Sequence, residues 1–308
     1  MIDRILRGDA RALARAATLV ENRQAAPLLK GLFPHSGKAL VIGITGAPGA
    51  GKSTFANQLA ATLRKEGKRI AIIAVDPTSP YSGGAVLGDR IRMLQHHSDP
   101  GVFIRSMATR GHLGGLAPAA ADMTLLFDAA GCDVVIVETV GVGQDEVEIA
   151  RLADVTLVVL TPNNGDDVQT LKAGIMEIAD VFILNKSDLA GADKLERELK
   201  ASFTLSHRPD GWTPLVVRTV AAEAKGIDEA LAAAREYQAT GLSQQRRAGI
   251  WTIRLREMLR ERLLERYDPA LFERAAQAVI EHNNDPYTII EELLLSNKEV
   301  LETNQQAR

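Results

Sequence analysis

Eight consecutive residues, Gly46-Ala47-Pro48-Gly49-Ala50-Gly51-Lys52-Ser53, set three glycines ahead of a lysine and a hydroxyl, with Thr54 following. Glycine reaches backbone conformations closed to other residues, so such a loop can turn successive N–H groups inward onto phosphate oxygens. Lys52 would then reach the β- and γ-phosphates, and the Ser53 hydroxyl would hold Mg²⁺. This stretch has the chemistry of a P-loop that binds a nucleoside triphosphate.

A second group, Asn185-Lys186-Ser187-Asp188, chooses the base. An ionised aspartate only accepts hydrogen bonds. Asp188 therefore matches the two adjacent donors on the guanine edge and meets a lone pair at the corresponding place on adenine, which selects GTP and rejects ATP. Asn185 and Lys186 are expected to brace the loop and cover the base. Val220 and Ala221, just past another apolar run, are candidates for backbone contacts to guanine.

Three carboxylates suit magnesium, which takes oxygen ligands and keeps several waters. Asp76 and Glu138 each end an apolar run, and Asp89 follows a Pro/Ser/Gly-rich stretch. One or two would bind the ion directly and the rest through water. Glu138 opens Glu138-Thr139-Val140-Gly141, where the Gly141 N–H could sense a γ-phosphate. Gln144 is a candidate for orienting the attacking water, although it lies a few residues beyond the place where small Ras-like GTPases carry theirs.

These residues need a scaffold that presents them along one edge. Ala39 to Ile44 reads as a short buried strand, and Phe55, Leu59 and Leu63 at four-residue spacing mark a packed helix after the P-loop. Further apolar runs at 69–75, 133–137, 155–160, 181–184 and 215–217 alternate with helical stretches. That pattern predicts an α/β fold with a doubly wound, mainly parallel sheet, whose ligands bind at the carboxyl ends of the strands. Residues 1–37 read as an N-terminal helical arm with a break at Gly8-Asp9. Residues 38–240 are the nucleotide-binding domain, and 241–308 a helical extension with Trp251, Leu255, Met258, Leu259 and Leu263 on one stripe. Seven arginines between 246 and 266, interleaved with glutamates, read as a solvated face with helical ion pairs.

Composition excludes several classes. The 308 residues are 46% hydrophobic, enough for a sizeable core. A net charge of −3 gives no reason to expect nucleic acid or an anionic membrane as partner. The single cysteine, Cys132, rules out an intramolecular disulfide and suits the cytoplasm. No apolar run is long enough for a membrane span, so the reading is a cytoplasmic protein.

Taken in order, Gly43 to Thr54, Ala74 to Pro77, Gly83 to Met93, Phe103 to Ser106, Gly111 to Gly115, Val137 to Gln144 and Asn185 to Asp188 resemble the MeaB/ArgK family, which includes the human methylmalonic aciduria type A protein. The resemblance runs from about Gly8 to Ile227. It implies a GTPase that escorts a B12-dependent acyl-CoA mutase such as methylmalonyl-CoA mutase, gating adenosylcobalamin loading and protecting the enzyme. It also implies Lys52 and Ser53 at phosphate and magnesium, and Asp76, Asp89 and Glu138 around the metal. Gly165 to Gln169 and Lys172 fall where the family carries a third, partner-responsive switch, and Lys172 is a candidate to bring charge to the phosphates. Pro162-Asn163-Asn164 departs from the family's usual glycine after proline. The resemblance, together with the stripe from Trp251, implies a homodimer through the C-terminal helices. Rival readings are a nickel- or zinc-type metallochaperone GTPase, which would need a Cys or His delivery site, and a P-loop small-molecule kinase such as an amino-acid transport kinase.

Overall fold

The computed structural model describes residues 1–76, 99–108, 117–139, 149–162, 175–203 and 208–295. Among them, seven strands form one sheet in the order β3-β2-β4-β1-β5-β6-β7, and every neighbouring pair is parallel. The strands are β1 (Leu40–Thr45), β2 (Ile70–Asp76), β3 (Val102–Ala108), β4 (Val134–Thr139), β5 (Val155–Leu160), β6 (Val181–Leu184) and β7 (Leu215–Arg218). β4, β5 and β6 are buried at every position. Parallel sheets are covered on both faces, and this is why these strands read as unbroken apolar runs rather than alternating ones.

Successive side chains point to opposite faces, and each face has its own core. Ile42, Ile44, Ile72, Ile136, Leu157 and Ile183 pack on one side with α4 (Lys52–Lys65) and α8 (Ile227–Ala239). Ala71, Ile73, Val135 and Val137 face the other way, onto α5 (Ala117–Ala129) and the N-terminal helices α1 (Ile2–Leu6), α2 (Ala10–Glu21) and α3 (Ala26–Leu32). Val158, Leu160, Phe182 and Leu184 pack on that side further along the sheet, under α7 (Ala192–Phe203) and next to the short helix α6 (Ile175–Ile178).

The N-terminal helices are built into this sandwich instead of standing outside it. Ile5, Leu13, Ala16 and Val20 are buried. The break at Gly8-Asp9 is a capped helix start: Asp9 accepts from the Ala12 N–H at 2.9 Å.

A long helix, α9, covers Leu242–Leu264. Contacts divide the chain into Met1–Ile250 and Trp251–Arg308. Within the second unit α10 (Pro269–Ile280) is capped by Asp268, and the Tyr267 hydroxyl donates to Leu293 O at 3.0 Å. Leu255, Met258, Leu259 and Leu263 of that unit are exposed in the single chain, Leu259 by 62%.

Two of the arginines read as a solvated face with helical ion pairs reach instead to buried carboxylates of the sheet. Arg246 pairs with Asp180 and Arg247 with Asp154, both aspartates being almost wholly buried. Among the described residues no helix is long and apolar enough to cross a membrane.

Candidate nucleotide site

The central strand β1 delivers the phosphate loop. Gly46, Gly49 and Gly51 all have positive φ, at 140°, 79° and 91°. Two of them are also sterically required: a Cβ on Gly46 would run into the Val159 carbonyl oxygen, and one on Gly51 into the Asn185 amide. Gly51 is also the left-handed cap that starts α4, so the helix N-terminus points at the loop it follows. Ala47 and Ala50 are buried, while Pro48 and Gly49 lie exposed at the loop tip.

Lys52 is buried, and its ammonium donates to Gly46 O at 2.8 Å and Ala47 O at 3.0 Å. An ammonium has three donors, so two of them fix its position within the concavity of the loop. Burying the charge is compensated by these carbonyls. Thr54 is on the outer face of α4.

Register places the metal candidates. Glu138 of β4 lies opposite both Ile44 of β1 and Ala74 of β2, so it sits one strand from the phosphate loop. Its carboxylate accepts from the Ser53 hydroxyl at 2.5 Å. Asp76 is the last residue of β2, at the same carboxyl edge of the sheet. Beneath the loop, the Thr139 hydroxyl donates to Thr45 Oγ1 at 3.0 Å, locking the ends of β4 and β1 together. Ser53 and Glu138 form an all-oxygen donor pair, which fits a hard cation such as Mg²⁺. Asp89, Gln144 and Lys172 lie outside the described residues, as do Gly141 and Gly165 to Gln169.

The guanine-motif residues leave β6. Asn185 is buried and joins three segments: its amide donates to Ala50 O at 2.8 Å, and its carbonyl accepts from the Thr219 hydroxyl at 3.1 Å and from the Ala221 N–H at 3.0 Å. Lys186 has φ 53° and donates to Gly49 O at 3.0 Å. Its side chain thus spans from the guanine loop to the phosphate loop. Asp188 is exposed at this loop. The Val220 N–H donates to Lys225 O and the Ala221 N–H to Asn185, which ties that loop down instead of turning those donors outward.

Thr219 was not anticipated. It is buried, its hydroxyl holds Asn185, and its carbonyl accepts the Ser187 N–H. A threonine closing an apolar run is the only sequence signal for it, and the same holds for Thr45 and Thr139.

A family model described as methylmalonyl-CoA mutase-associated GTPase MeaB matches residues 13–270. The GTPase ArgK of Escherichia coli is 43% identical over 238 residues, spanning 74% of this chain and 72% of that one. The mitochondrial methylmalonic aciduria type A homolog of Mus musculus is 34% identical over 287 residues, 85% of this chain and 69% of its own. Among solved structures, one described as a LAO/AO transport system kinase superposes with a TM-score of 0.69 at 31% identity, covering 96% of both chains.

Proposed function

The chain belongs to the MeaB family of GTPases, and from that premise we propose that it hydrolyses GTP to GDP and phosphate as the timing step of a chaperone for a B12-dependent acyl-CoA mutase. The observation that carries this reading is the joining of two loops by Asn185 and Lys186: both donate to phosphate-loop carbonyls, at Ala50 and Gly49. Base recognition and phosphate binding are thereby one rigid unit, so the occupant of the base site is sensed at the phosphates. The family match favours this reading over the nickel- or zinc-delivery and small-molecule-kinase readings.

Phosphoryl transfer to water needs positioning and charge neutralisation more than covalent chemistry. Lys52, held by Gly46 and Ala47, places a positive charge where the β- and γ-oxygens would lie. Backbone N–H groups of the loop and of the first turn of α4 would receive the remaining phosphate oxygens; Pro48 has none to give, and that of Ala50 is bonded to Ala47 O at 3.2 Å. Ser53, Glu138 and Asp76, with Asp89, would hold Mg²⁺, which when bound supplies charge neutralisation across the β- and γ-phosphates. Asp188 takes the guanine edge. Gln144 and Lys172 are proposed for water orientation and for partner-dependent charge. A cytoplasmic site of action fits the single cysteine.

The client is proposed from the family description and from the mouse relative's name. Steady-state phosphate release should rise at least about tenfold when a methylmalonyl-CoA mutase is added. Equal turnover with and without the mutase would defeat the chaperone reading and leave the GTPase intact. The exposed stripe of Leu255, Met258, Leu259 and Leu263 is proposed as a homodimer contact. Leu259→Asp should convert a dimer to a monomer in light scattering, and a monomeric wild type would exclude the contact.

A further inference from the structure

We infer that Arg246 is a positioning residue for the guanine loop: through Asp180 it holds the amino end of β6, and the carboxyl end of β6 leads directly into Asn185. The inference rests on the GTPase reading above.

β6 has only four residues, Val181–Leu184. At roughly 3.3 Å per residue it is a rod of about 13 Å, with Asp180 immediately before it and Asn185 immediately after. Asp180 is fully buried. Its carboxylate accepts from the Thr156 N–H of β5 at 2.8 Å, from both terminal nitrogens of Arg246 at 3.0 and 2.7 Å, and from Arg208 at 3.1 Å. Arg246 is therefore the forked partner, and it comes from the first turns of α9, 66 positions along the chain. Arg208 gives Asp180 a single bond, donates to the neighbouring Ala179 carbonyl and is otherwise engaged with Asp210.

The opposite end of the rod is held as tightly. The Asn185 N–H donates to Leu160 O at 2.8 Å, and its side chain reaches Ala50, Thr219 and Ala221. All four residues between are buried, so a packed interior leaves little room for one end to move alone. Removing Arg246 leaves a buried carboxylate with less compensation. Relief comes from drawing Asp180 towards Arg208 or towards water, and a shift at that end of a short rod is passed to Asn185 and Asp188.

The test is nucleotide release from the full chain carrying Arg246→Met. With a fluorescent GDP analogue, release should quicken at least fivefold, and the preference for GDP over IDP, which lacks the 2-amino donor facing Asp188, should fall at least threefold. Arg64→Met serves as control. It removes a similar forked pair, with Asp99, at 2.8 and 2.9 Å on the same edge of the sheet but ahead of β3; its release rate should stay within twofold of wild type. A lower melting temperature in Arg246→Met, with release and base preference both within twofold of wild type, would show that Arg246 is structural only. Should Arg246→Met not fold, Arg246→Lys keeps the charge and loses the fork: release at least twofold faster supports the role, and an unchanged rate overturns it. A wild-type chain that binds no GDP would instead sink the nucleotide reading, and this inference with it.

Discussion

Ser53 and Glu138, 85 positions apart in the chain, are joined by a hydrogen bond of 2.5 Å that links the start of α4 to the end of β4. Each supplies an oxygen of the kind magnesium takes, and here the two oxygens bind one another. The ion would replace the shared proton contact with its own coordination, so affinity for Mg²⁺ and for the triphosphate should rise together. Ser53→Ala and Glu138→Gln are each expected to lower GTP turnover by at least about tenfold, roughly 1.4 kcal/mol. Both should weaken Mg²⁺-dependent GTP binding more than GDP binding in calorimetry. Metal-independent turnover in either variant would count against the pair as the metal site.

Asp188 is exposed at the mouth of the guanine loop. A hydrogen bond to a charged group contributes about 1.5–3 kcal/mol, so Asp188→Asn should weaken GDP binding by roughly 10- to 150-fold. The amide of asparagine offers a donor where xanthine carries an oxygen, and XDP should bind the variant better than GDP does. A competition assay between the two nucleotides reads this directly, and unchanged preference would remove Asp188 from the base site.

Gly46 has φ 140° and lies against the Val159 carbonyl. Alanine there combines strained backbone with a collision between β1 and β5, costing on the order of 1–3 kcal/mol. Gly46→Ala should lower the melting temperature and abolish GDP protection against unfolding. Gly67, also at positive φ but with open space around its Cβ position, serves as comparison, since Gly67→Ala should lower stability while preserving GDP protection.

Stability should fall in acid with a contribution from Asp210. Burial alone would raise its pKa, but the Arg208 hydrogen bond and the Trp212 N–H outweigh it and hold the folded value below 3.8. A carboxylate depressed on folding contributes stability that is present above the unfolded pKa and is lost as pH falls through the folded value. Denaturant midpoints should therefore decline below about pH 4. Asp210→Asn should be less stable than wild type at pH 7 and converge on it towards pH 2. Parallel curves would show that the Arg208 pair contributes nothing.

The strands buried on both faces were legible because burial leaves a continuous apolar signature: Val155 to Leu160 and Val181 to Leu184 were read at their observed bounds. β3 was not read as a strand. It lies at the sheet edge and carries Arg105, whose partner Glu21 is 84 positions away on α2. Arg246 and Arg247 failed for the same reason. Their spacing suits a solvated helix face, and only the folded chain brings Asp180 and Asp154 beneath them. In the candidate site, the motifs picked out residues by chemistry that is local, and the structure brings Lys52, Ser53, Glu138, Asn185 and Lys186 to the same carboxyl edge of the sheet. Thr219, Thr45 and Thr139 act on other protein groups across strand ends, and nothing in their own neighbourhood announces that.

The strand order also bears on synthesis at the ribosome. β1 is the first strand made but pairs with β4 and β5, so its ladder waits until about residue 160 has emerged. Asn185 waits longer, until Thr219 and Ala221 arrive. A nascent chain should therefore carry the entire phosphate-loop sequence for most of its elongation without holding nucleotide, and should acquire that capacity late, within a few dozen residues of added length. Chains stalled before residue 221 are expected to depend on folding assistance that GTP cannot replace.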